Sequence, residues 1–235
     1  MILLTNGCSW TWGGGLGIDQ SIHDELRYRL VWPHHRGNLV GADKAYNLAL
    51  GCGSNQRIVR TTFDWIMSQS KEDLEKTVAV IQWTELSRYE FYYPADYTND
   101  YENHQDRWVR CKFDCILNQY DDNESAKEKY NNLRLSTYTE IEGMYRFIGD
   151  LLAVDSLLKQ HNIPYYFWTY DTRLLERFPK EAYEFCRDKF NWVNTIDTGE
   201  WEYERVSDDD LHPGITGHTQ IAQFLAEHIK SSTHN

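Results

Sequence analysis

The sequence has little cysteine and no cluster of lysine or arginine. Its five cysteines, at positions 8, 52, 111, 115 and 186, are odd in number and scattered over 235 residues, which argues against a disulfide framework. Lys and Arg total 24 against 36 Asp and Glu, for a formal net charge of −12. Because a phosphate-binding groove needs clustered positive charge, neither nucleic acid nor an anionic membrane surface is an expected partner.

Long apolar runs are also missing. No stretch reaches the roughly 18 apolar residues of a membrane span, and the N-terminal MILLTNG lacks the basic region of a signal peptide. We therefore expect a cytoplasmic protein that does not act at a membrane. Cys111, Cys115 and His104 could ligate a metal, but no second cysteine pair completes a tetrahedral site, so no metal is predicted.

Short apolar runs alternate with longer segments of helical period, which is typical of an α/β fold. The strongest helical segment is 137–162, where Thr137 and Glu140 have the spacing of a capping box. The pattern predicts one domain over 1–235, with three α/β/α layers around a five-stranded parallel sheet in a flavodoxin-like arrangement. The predicted strands are residues 2–5, 44–50, 77–83, 163–169 and 192–196.

Residues 86–132 break this alternation. They are polar, acidic and rich in tyrosine, and a loop of that length in a compact domain is usually functional. We interpret them as an insertion after the third strand, which would serve as a lid. The chain also carries nine Trp and sixteen Tyr, more than a core of this size needs, so some aromatic side chains are expected to line a cleft.

The first chemical motif is residues 6–13, NGCSWTWG, directly after the first strand. Ligands of parallel sheets bind beyond the carboxyl ends of the strands, so Ser9 lies where a nucleophile would be useful. Its backbone N–H at a helix N-terminus would also face a developing oxyanion. Taken alone, this segment is explained as well by a serine that only caps a helix.

The second motif is residues 208–213, DDDLHP, ahead of the last helix. A hydrolytic serine needs a base, and the base needs a carboxylate to orient it. Asp209 and His212 are three residues apart, which would let the carboxylate reach Nδ1 of the imidazole. A solvated acidic turn, or aspartates that bind a cation, are the alternatives.

The third motif is residues 51–55, GCGSN, which join the second strand to a helix. Glycines at a helix N-terminus expose backbone N–H groups that suit an anion or an oxyanion. No Gly-Lys-Ser/Thr follows, so the segment is not a Walker loop.

In this order the three motifs resemble the sequence blocks of the SGNH/GDSL hydrolase superfamily. Gly7-Cys8-Ser9 is similar to the nucleophile block, and Asp209 to Pro213 is similar to the late Asp-x-x-His block. The resemblance implies an SGNH-type fold and a Ser9–His212–Asp209 triad. It covers most of the chain outside 86–132.

The resemblance also implies an oxyanion hole, and here the sequence departs from the family. Gly53 or the Cys52 amide corresponds to the second block. After the third strand the family usually has Gly-x-Asn-Asp, whereas this chain has Gln82-Trp83-Thr84-Glu85. Thr84 therefore takes the place of the asparagine, and Asn55 or Gln82 is the alternative source of the amide.

The expected activity is ester hydrolysis without a metal or organic cofactor. The substrate is predicted to be a small-molecule or carbohydrate ester, with an O-acetyl sugar first and a lipid ester or thioester second. Trp10, Trp12 and Trp83 are the candidate binding aromatics, because indole rings stack on sugars. The alternatives are a catalytically weakened member that binds a glycan or a protein, and a flavodoxin-like nucleotide binder in which Asp208 to Asp210 hold Mg²⁺. The sequence does not indicate an oligomeric state.

Overall fold

The computed structural model describes residues 1–16, 24–92, 108–112, 115–116, 139–170, 173–193 and 203–232. Strands and helices alternate along most of this part of the chain. The strands are β1 (Ile2–Asn6), β2 (Lys44–Asn47), β3 (Thr77–Trp83), β4 (Tyr89–Tyr92), β5 (Trp108–Lys112), β6 (Cys115–Ile116) and β7 (Tyr165–Thr169). The helices are α1 (Ser9–Trp12), α2 (Asp24–Leu30), α3 (Trp32–Leu39), α4 (Asn55–Ser68), α5 (Lys71–Glu75), α6 (Glu140–Gln160), α7 (Arg173–Glu176), α8 (Lys180–Lys189) and α9 (Ile215–Ser232).

Four strands form a parallel sheet in the order β2-β1-β3-β7. Ile2 pairs with Lys44 on one side and with Thr77 on the other, and Ala79 pairs with Tyr165. Since all four strands run the same way, their carboxyl ends meet at one edge of the sheet. The segments after β1, β2 and β3, which carry two of the three sequence motifs, therefore converge there.

Alternate residues of the strands enter two separate apolar cores. Leu4, Ile81 and Phe167 lie in one core with residues of α4 and α6, such as Ile58 and Leu151. The residues between them on the strands enter the second core with α3 and α9: Leu3, Val80, Trp168, Trp32, Ile221 and Leu225. Helices thus cover both faces of the sheet, which explains why β1, β3 and β7 are almost continuously buried, whereas the edge strand β2 is not.

Side-chain caps set the start of two long helices. Ser54 precedes α4, and its hydroxyl accepts from the Arg57 N–H at 3.2 Å. Thr139 precedes α6 and accepts from the Glu142 N–H at 3.1 Å. The N-cap of α6 is thus two residues later than the predicted Thr137, which lies outside the described residues.

The fifth predicted strand is present only as a single bridge. Trp192 pairs in parallel with Phe167, and the Val193 N–H donates to Phe167 O at 2.8 Å. Residues 194–196 lie outside the described part of the chain. The described parallel sheet therefore has four strands, with Trp192 beside β7.

The predicted insertion is described in part. β4, β5 and β6 form a separate antiparallel sheet in which Tyr89 pairs with Cys111. Its first strand is joined to the helices by Arg60, which makes two hydrogen bonds to Glu90, and by the Tyr89 hydroxyl, which donates to Glu142 at 2.8 Å. Most of 86–132, His104 included, lies outside the described residues, as do the side chains of Cys111 and Cys115.

Within the described ranges, no helix is both long and apolar enough to span a bilayer.

Candidate active site

Ser9 is the first residue of α1, immediately beyond the carboxyl end of β1. The N-cap of α1 is the extended residue before it, Cys8, which makes no side-chain cap hydrogen bond. Ser9 is therefore not the capping serine that the sequence also allowed. Ser9 is only 8% exposed. Its Oγ lies 2.8 Å from Nε2 of His212. The structure therefore brings together the first sequence motif, residues 6–13, and the second, residues 208–213.

The loop that carries His212 is closed at both ends. The Val206 N–H donates to His212 O at 3.0 Å, and the Gly214 N–H donates to Glu204 O at 2.8 Å. Glu204 also accepts from the Thr216 N–H at 2.7 Å, which places a carboxylate at the start of α9. These bonds hold His212 in position just ahead of the last helix.

The carboxylate against His212 is that of Asp210, so the prediction of Asp209 is wrong on this point. Asp210 Oδ1 lies 2.6 Å from Nδ1 of His212 and also accepts the His212 backbone N–H at 3.0 Å. Asp209 is exposed. An aspartate readily accepts from the N–H two residues ahead, and this local turn favours the two-residue spacing over the three-residue one. The backbone N–H of His212, with a smaller contribution from its ring, lowers the pKa of Asp210.

Two glycines pack directly on the Ser9–His212 pair. A Cβ at Gly14 would lie 2.7 Å from Ser9 Cβ and 3.3 Å from His212 Nε2. A Cβ at Gly15 would lie 2.7 Å from His212 Cβ, and Gly15 also has a φ of 75°. Neither glycine is among the predicted site residues, although the run Gly13-Gly14-Gly15 after the serine motif is a signal of close backbone approach.

Gln82, near the end of β3, fixes the turn that presents Ser9. Its Oε1 accepts from the Thr11 hydroxyl at 2.5 Å and from the Cys8 N–H at 3.3 Å. A Cβ at Gly7 would lie 2.6 Å from the same oxygen, so the glycine permits this approach. Gln82 is fully buried. Its predicted role was only that of an alternative donor to the oxyanion.

The amide of Gly53 is not free, which contradicts its predicted role as an oxyanion donor. Its N–H donates to Leu50 O at 3.0 Å. Gly53 instead allows close packing, since a Cβ there would lie 3.2 Å from Gly7 O. The neighbouring Cys52 has a left-handed φ of 61°, and its N–H has no hydrogen-bond partner within the described ranges. Of the two donors considered in this block, the Cys52 amide is the one available.

The Asn55 side chain is bound to the backbone of Thr84. Asn55 Nδ2 donates to Thr84 O at 3.1 Å, and its Oδ1 accepts from the Thr84 N–H at 3.0 Å. The Thr84 hydroxyl is buried without a partner among the described residues. The pair connects the end of β3 to the start of α4. Neither side chain has a described contact with Ser9, so the predicted oxyanion roles stay predictions.

The three candidate tryptophans occupy different places. Trp10 borders the site but is buried: its ring stacks on Tyr170 at 4.8 Å and lies 6.4 Å from the ring of His212, so the structure does not show it as an open binding surface. Trp12 is half-buried beneath the Arg27 guanidinium, 4.1 Å from the ring centroid.

The prediction that Trp83 binds substrate is wrong. It is fully buried and packs edge-on against Phe147 and Phe167 in the core beneath α4 and α6. The reason is strand alternation: Gln82 faces the turn that carries Ser9, so its neighbour Trp83 faces the opposite side of the sheet.

Metal ligands are not gathered in the described part of the chain, where no cluster of three His, Cys, Asp or Glu residues is suited to hold a cation. Asp208 and Asp209 are exposed, and Asp210 is engaged by His212. The described geometry gives no support to the Mg²⁺ alternative.

Solved structures show a related fold. TesA superposes with a TM-score of 0.53 at 13% identity, covering 98% of this chain and 99% of the other. The psychrotrophic esterase EstA from Pseudoalteromonas sp., in a structure inhibited by monoethylphosphonate, gives a TM-score of 0.49 at 12% identity, covering 100% of this chain and 99% of the other. The likeness to TesA shows the fold alone, and this mixed α/β fold agrees with the SGNH type expected from the sequence blocks.

The chain belongs to a family of unknown function (DUF6071), whose model matches residues 18–204. No curated protein matches the sequence. The family match ends short of Ser9 on one side and of Asp210 and His212 on the other. Membership therefore carries no statement about these three residues.

Proposed function

We propose that the protein is a serine hydrolase of the SGNH type that cleaves an ester. The observation that carries the proposal is the continuous contact from Ser9 Oγ through His212 to Asp210, at 2.8 and 2.6 Å. These are hydrogen-bond distances suited to proton transfer from the hydroxyl to the imidazole. The site lies at the edge of the sheet where ligands of parallel α/β folds bind.

In the proposed mechanism Ser9 Oγ attacks the ester carbonyl carbon while His212 Nε2 takes the hydroxyl proton. The tetrahedral intermediate collapses, the bond to the alcohol oxygen breaks, and His212 returns the proton to that oxygen. Water then attacks the acyl-serine by the same route and releases the acid. Asp210 accepts from Nδ1, which selects the tautomer whose Nε2 is free to accept the serine proton.

The Ser9 backbone N–H is the first oxyanion donor in this proposal. It is at the start of α1 and makes no hydrogen bond within the described ranges, as is usual for the first N–H groups of a helix. The Cys52 N–H is the second donor. Removal of one such donor typically lowers kcat by about 10²–10³. The residues after β3, where the SGNH/GDSL superfamily has asparagine, therefore bear directly on catalytic efficiency.

For the substrate we propose a small-molecule or carbohydrate ester. Trp10 borders His212, but it is buried and stacked on Tyr170, so it can shape the wall of the site and offers no open face for a sugar. Arg27 covers the Trp12 ring, so that surface is less accessible for stacking.

Labelling with a fluorophosphonate tests the proposal. The parent protein should be modified at Ser9 and should hydrolyse p-nitrophenyl acetate, whereas Ser9→Ala should do neither. A matched control is Ser68→Ala, since Ser68 lies at the far end of α4. Unchanged hydrolysis by Ser9→Ala would exclude the mechanism.

A catalytically weakened domain that binds a glycan or a protein is the second candidate. It is favoured by the Thr84 hydroxyl, which is buried without a described partner at the position where the SGNH/GDSL superfamily has asparagine. Failure of the fluorophosphonate to label the folded parent protein would favour this candidate over the hydrolase.

A further inference from the structure

Tyr203 contacts both of the sequence motifs that meet at the candidate site. Its hydroxyl donates to Leu211 O at 2.9 Å, and Leu211 is the residue before His212. Its ring packs edge-on against Trp10, the residue after Ser9, with the ring centroids 5.3 Å apart. One side chain therefore touches the immediate neighbours of both proposed reacting residues.

On the loop side, the bond from Tyr203 adds to a short antiparallel arrangement of the backbone. Arg205 and Pro213 form an isolated antiparallel bridge. The Val206 N–H donates to His212 O at 3.0 Å. These backbone contacts give the loop its shape, and the side chain of Tyr203 connects that loop to α1, which carries the nucleophile.

On the α1 side, Trp10 is enclosed by aromatic rings. It stacks on Tyr170 at 4.8 Å, meets Tyr203 edge-on and is only 6% exposed. Its ring also lies 6.4 Å from that of His212. Because stacked and edge-on aromatic pairs have preferred geometries, Trp10 gives the Tyr203 ring a fixed surface to pack against.

We propose that Tyr203 is a positioning residue that holds the imidazole of His212 within hydrogen-bond distance of Ser9. It acts through the residues next to them, Leu211 and Trp10. This inference rests on the proposed function. A displacement of about 1 Å between reacting groups can lower a rate about 10²-fold, so the placement of the imidazole is itself a determinant of kcat.

Tyr203→Phe isolates the hydroxyl, since the variant keeps the ring and loses only the bond to Leu211. Leu211 is 56% exposed, so water can replace the lost donor and the variant should stay folded. Tyr203→Leu also loses the edge-on contact with Trp10. The loss of kcat should be about tenfold in Tyr203→Phe and about 10²-fold in Tyr203→Leu, with KM nearly unchanged in both.

The measurement counts reactive serines as well as turnover. Labelling by fluorophosphonate to saturation gives the number of reactive sites, and hydrolysis of p-nitrophenyl acetate divided by that number gives the rate per site. A misplaced imidazole lowers the rate at every site, whereas partial unfolding lowers the number of sites. We expect Tyr203→Phe to keep the number of sites and to lose rate per site.

Tyr28→Phe is the matched control, because the Tyr28 hydroxyl also donates to a backbone carbonyl, that of Ala45 in the edge strand β2, at 2.6 Å. It should keep the rate per site of the parent. A parent-like rate per site in Tyr203→Phe would overturn the inference. Fewer labelled sites with an unchanged rate at each would also overturn it, because that result would indicate a role in folding alone.

A proton NMR signal separates this inference from the proposed function. Nδ1 of His212 lies 2.6 Å from Asp210 Oδ1, and the proton of so short a bond should resonate at unusually low field. The signal is assigned by its loss in His212→Gln. Tyr203→Phe should shift or broaden it, and Tyr28→Phe should leave it unchanged.

The two readouts together have distinct outcomes. A resonance that depends on Tyr203 in a protein that the fluorophosphonate does not label would support the positioning of His212 and contradict the hydrolase. Labelling of Ser9 in the parent, with an unchanged resonance and rate per site in Tyr203→Phe, would support the hydrolase and contradict the inference.

Discussion

His212 Nε2 lies 2.8 Å from Ser9 Oγ, although the two residues are 203 positions apart in the sequence. The contact depends on two separate structures: the turn between β1 and α1, and the closed loop ahead of α9. Neither motif is distinctive alone, since a serine at the start of a helix and an acidic turn are both common. In the proposed mechanism it is their contact that makes the chemistry specific.

The identity of the carboxylate is the sharpest test of the proposed triad. Asp210→Asn should lower kcat by about 10⁴, the order found when a triad aspartate is replaced by its amide and the wrong histidine tautomer is favoured. Asp209→Asn removes the same charge from the exposed neighbour and should change kcat by less than about threefold, as expected for a screened surface charge. Steady-state kinetics on p-nitrophenyl acetate gives both values, and a larger loss in Asp209→Asn would return the role to that residue.

Gly14 tests how closely the backbone must approach the reacting groups. The Cβ of Gly14→Ala would lie 2.7 Å from Ser9 Cβ, so one of the two must move. A displacement of about 1 Å can cost 10²-fold in rate, and we expect a loss in kcat of that order. The control is Gly149→Ala inside α6, where a Cβ would meet nothing within 4 Å. It should keep full activity and raise the free energy of unfolding by about 0.5–1 kcal/mol.

Substitution of Gln82 tests how the turn that carries Ser9 is held in place. Gln82→Met removes the acceptor of the Thr11 hydroxyl and the Cys8 N–H, both of which are buried. A buried donor without a partner costs about 1–3 kcal/mol, and this loss should appear in urea unfolding together with a lower kcat. Thr11→Val removes only one of the two donors and should give the smaller loss in both measurements. Parent-like kcat in Gln82→Met would show that the turn holds Ser9 without it.

Asn55 tests the link between β3 and α4. Asn55→Ala deprives both the N–H and the carbonyl of Thr84 of their described partner, and we expect a loss of about 2 kcal/mol or more in the free energy of unfolding. Asn55→Asp retains an acceptor for the N–H but places a carboxylate against the carbonyl oxygen. It should therefore be no more stable than the alanine variant. A more stable aspartate variant would mean that the carbonyl contact contributes little.

Much of the sheet could be predicted from the sequence because its strands are buried on both faces. β3 was predicted at its observed bounds, 77–83, since a short run of seven mostly apolar and β-branched residues favours a buried strand. The face of each side chain was harder to predict. Trp83 was assigned to the site, and only its register beside Gln82 shows that it points into the opposite core.

The spacing of residues in the sequence could not decide which of two neighbouring side chains makes a local contact. Thr137 and Thr139 both precede a glutamate by three residues, so the capping box of α6 had two solutions. Asp209 and Asp210 are likewise adjacent, and only the folded loop shows that the carboxylate of Asp210 is the one against His212. The buried polar atoms without a described partner were not predicted at all, because such burial is a property of the folded chain.

His218 should make the protein less stable as the pH falls. It is fully buried where α9 meets α3, and its Nδ1 accepts from the Trp32 N–H at 3.3 Å. Burial, reinforced by the nearby His35 and His212, lowers the pKa of His218 from 6.5 to about 3. Between these values the unfolded chain binds a proton that the native state does not. Stability is therefore lost on acidification from about pH 6.5, by at most about 1.4 kcal/mol per pH unit.

The His218→Gln variant isolates this effect. Burial raises the pKa of Asp150 to about 7, which acts in the opposite direction, so the pH dependence of the parent alone is not diagnostic. Asp150 is unchanged in the variant, and its contribution cancels in the difference between the two proteins. The free-energy cost of His218→Gln, measured by urea unfolding, should therefore be about 2 kcal/mol smaller at pH 5 than at pH 7.5. An equal cost at both pH values would mean that His218 can be protonated within the fold.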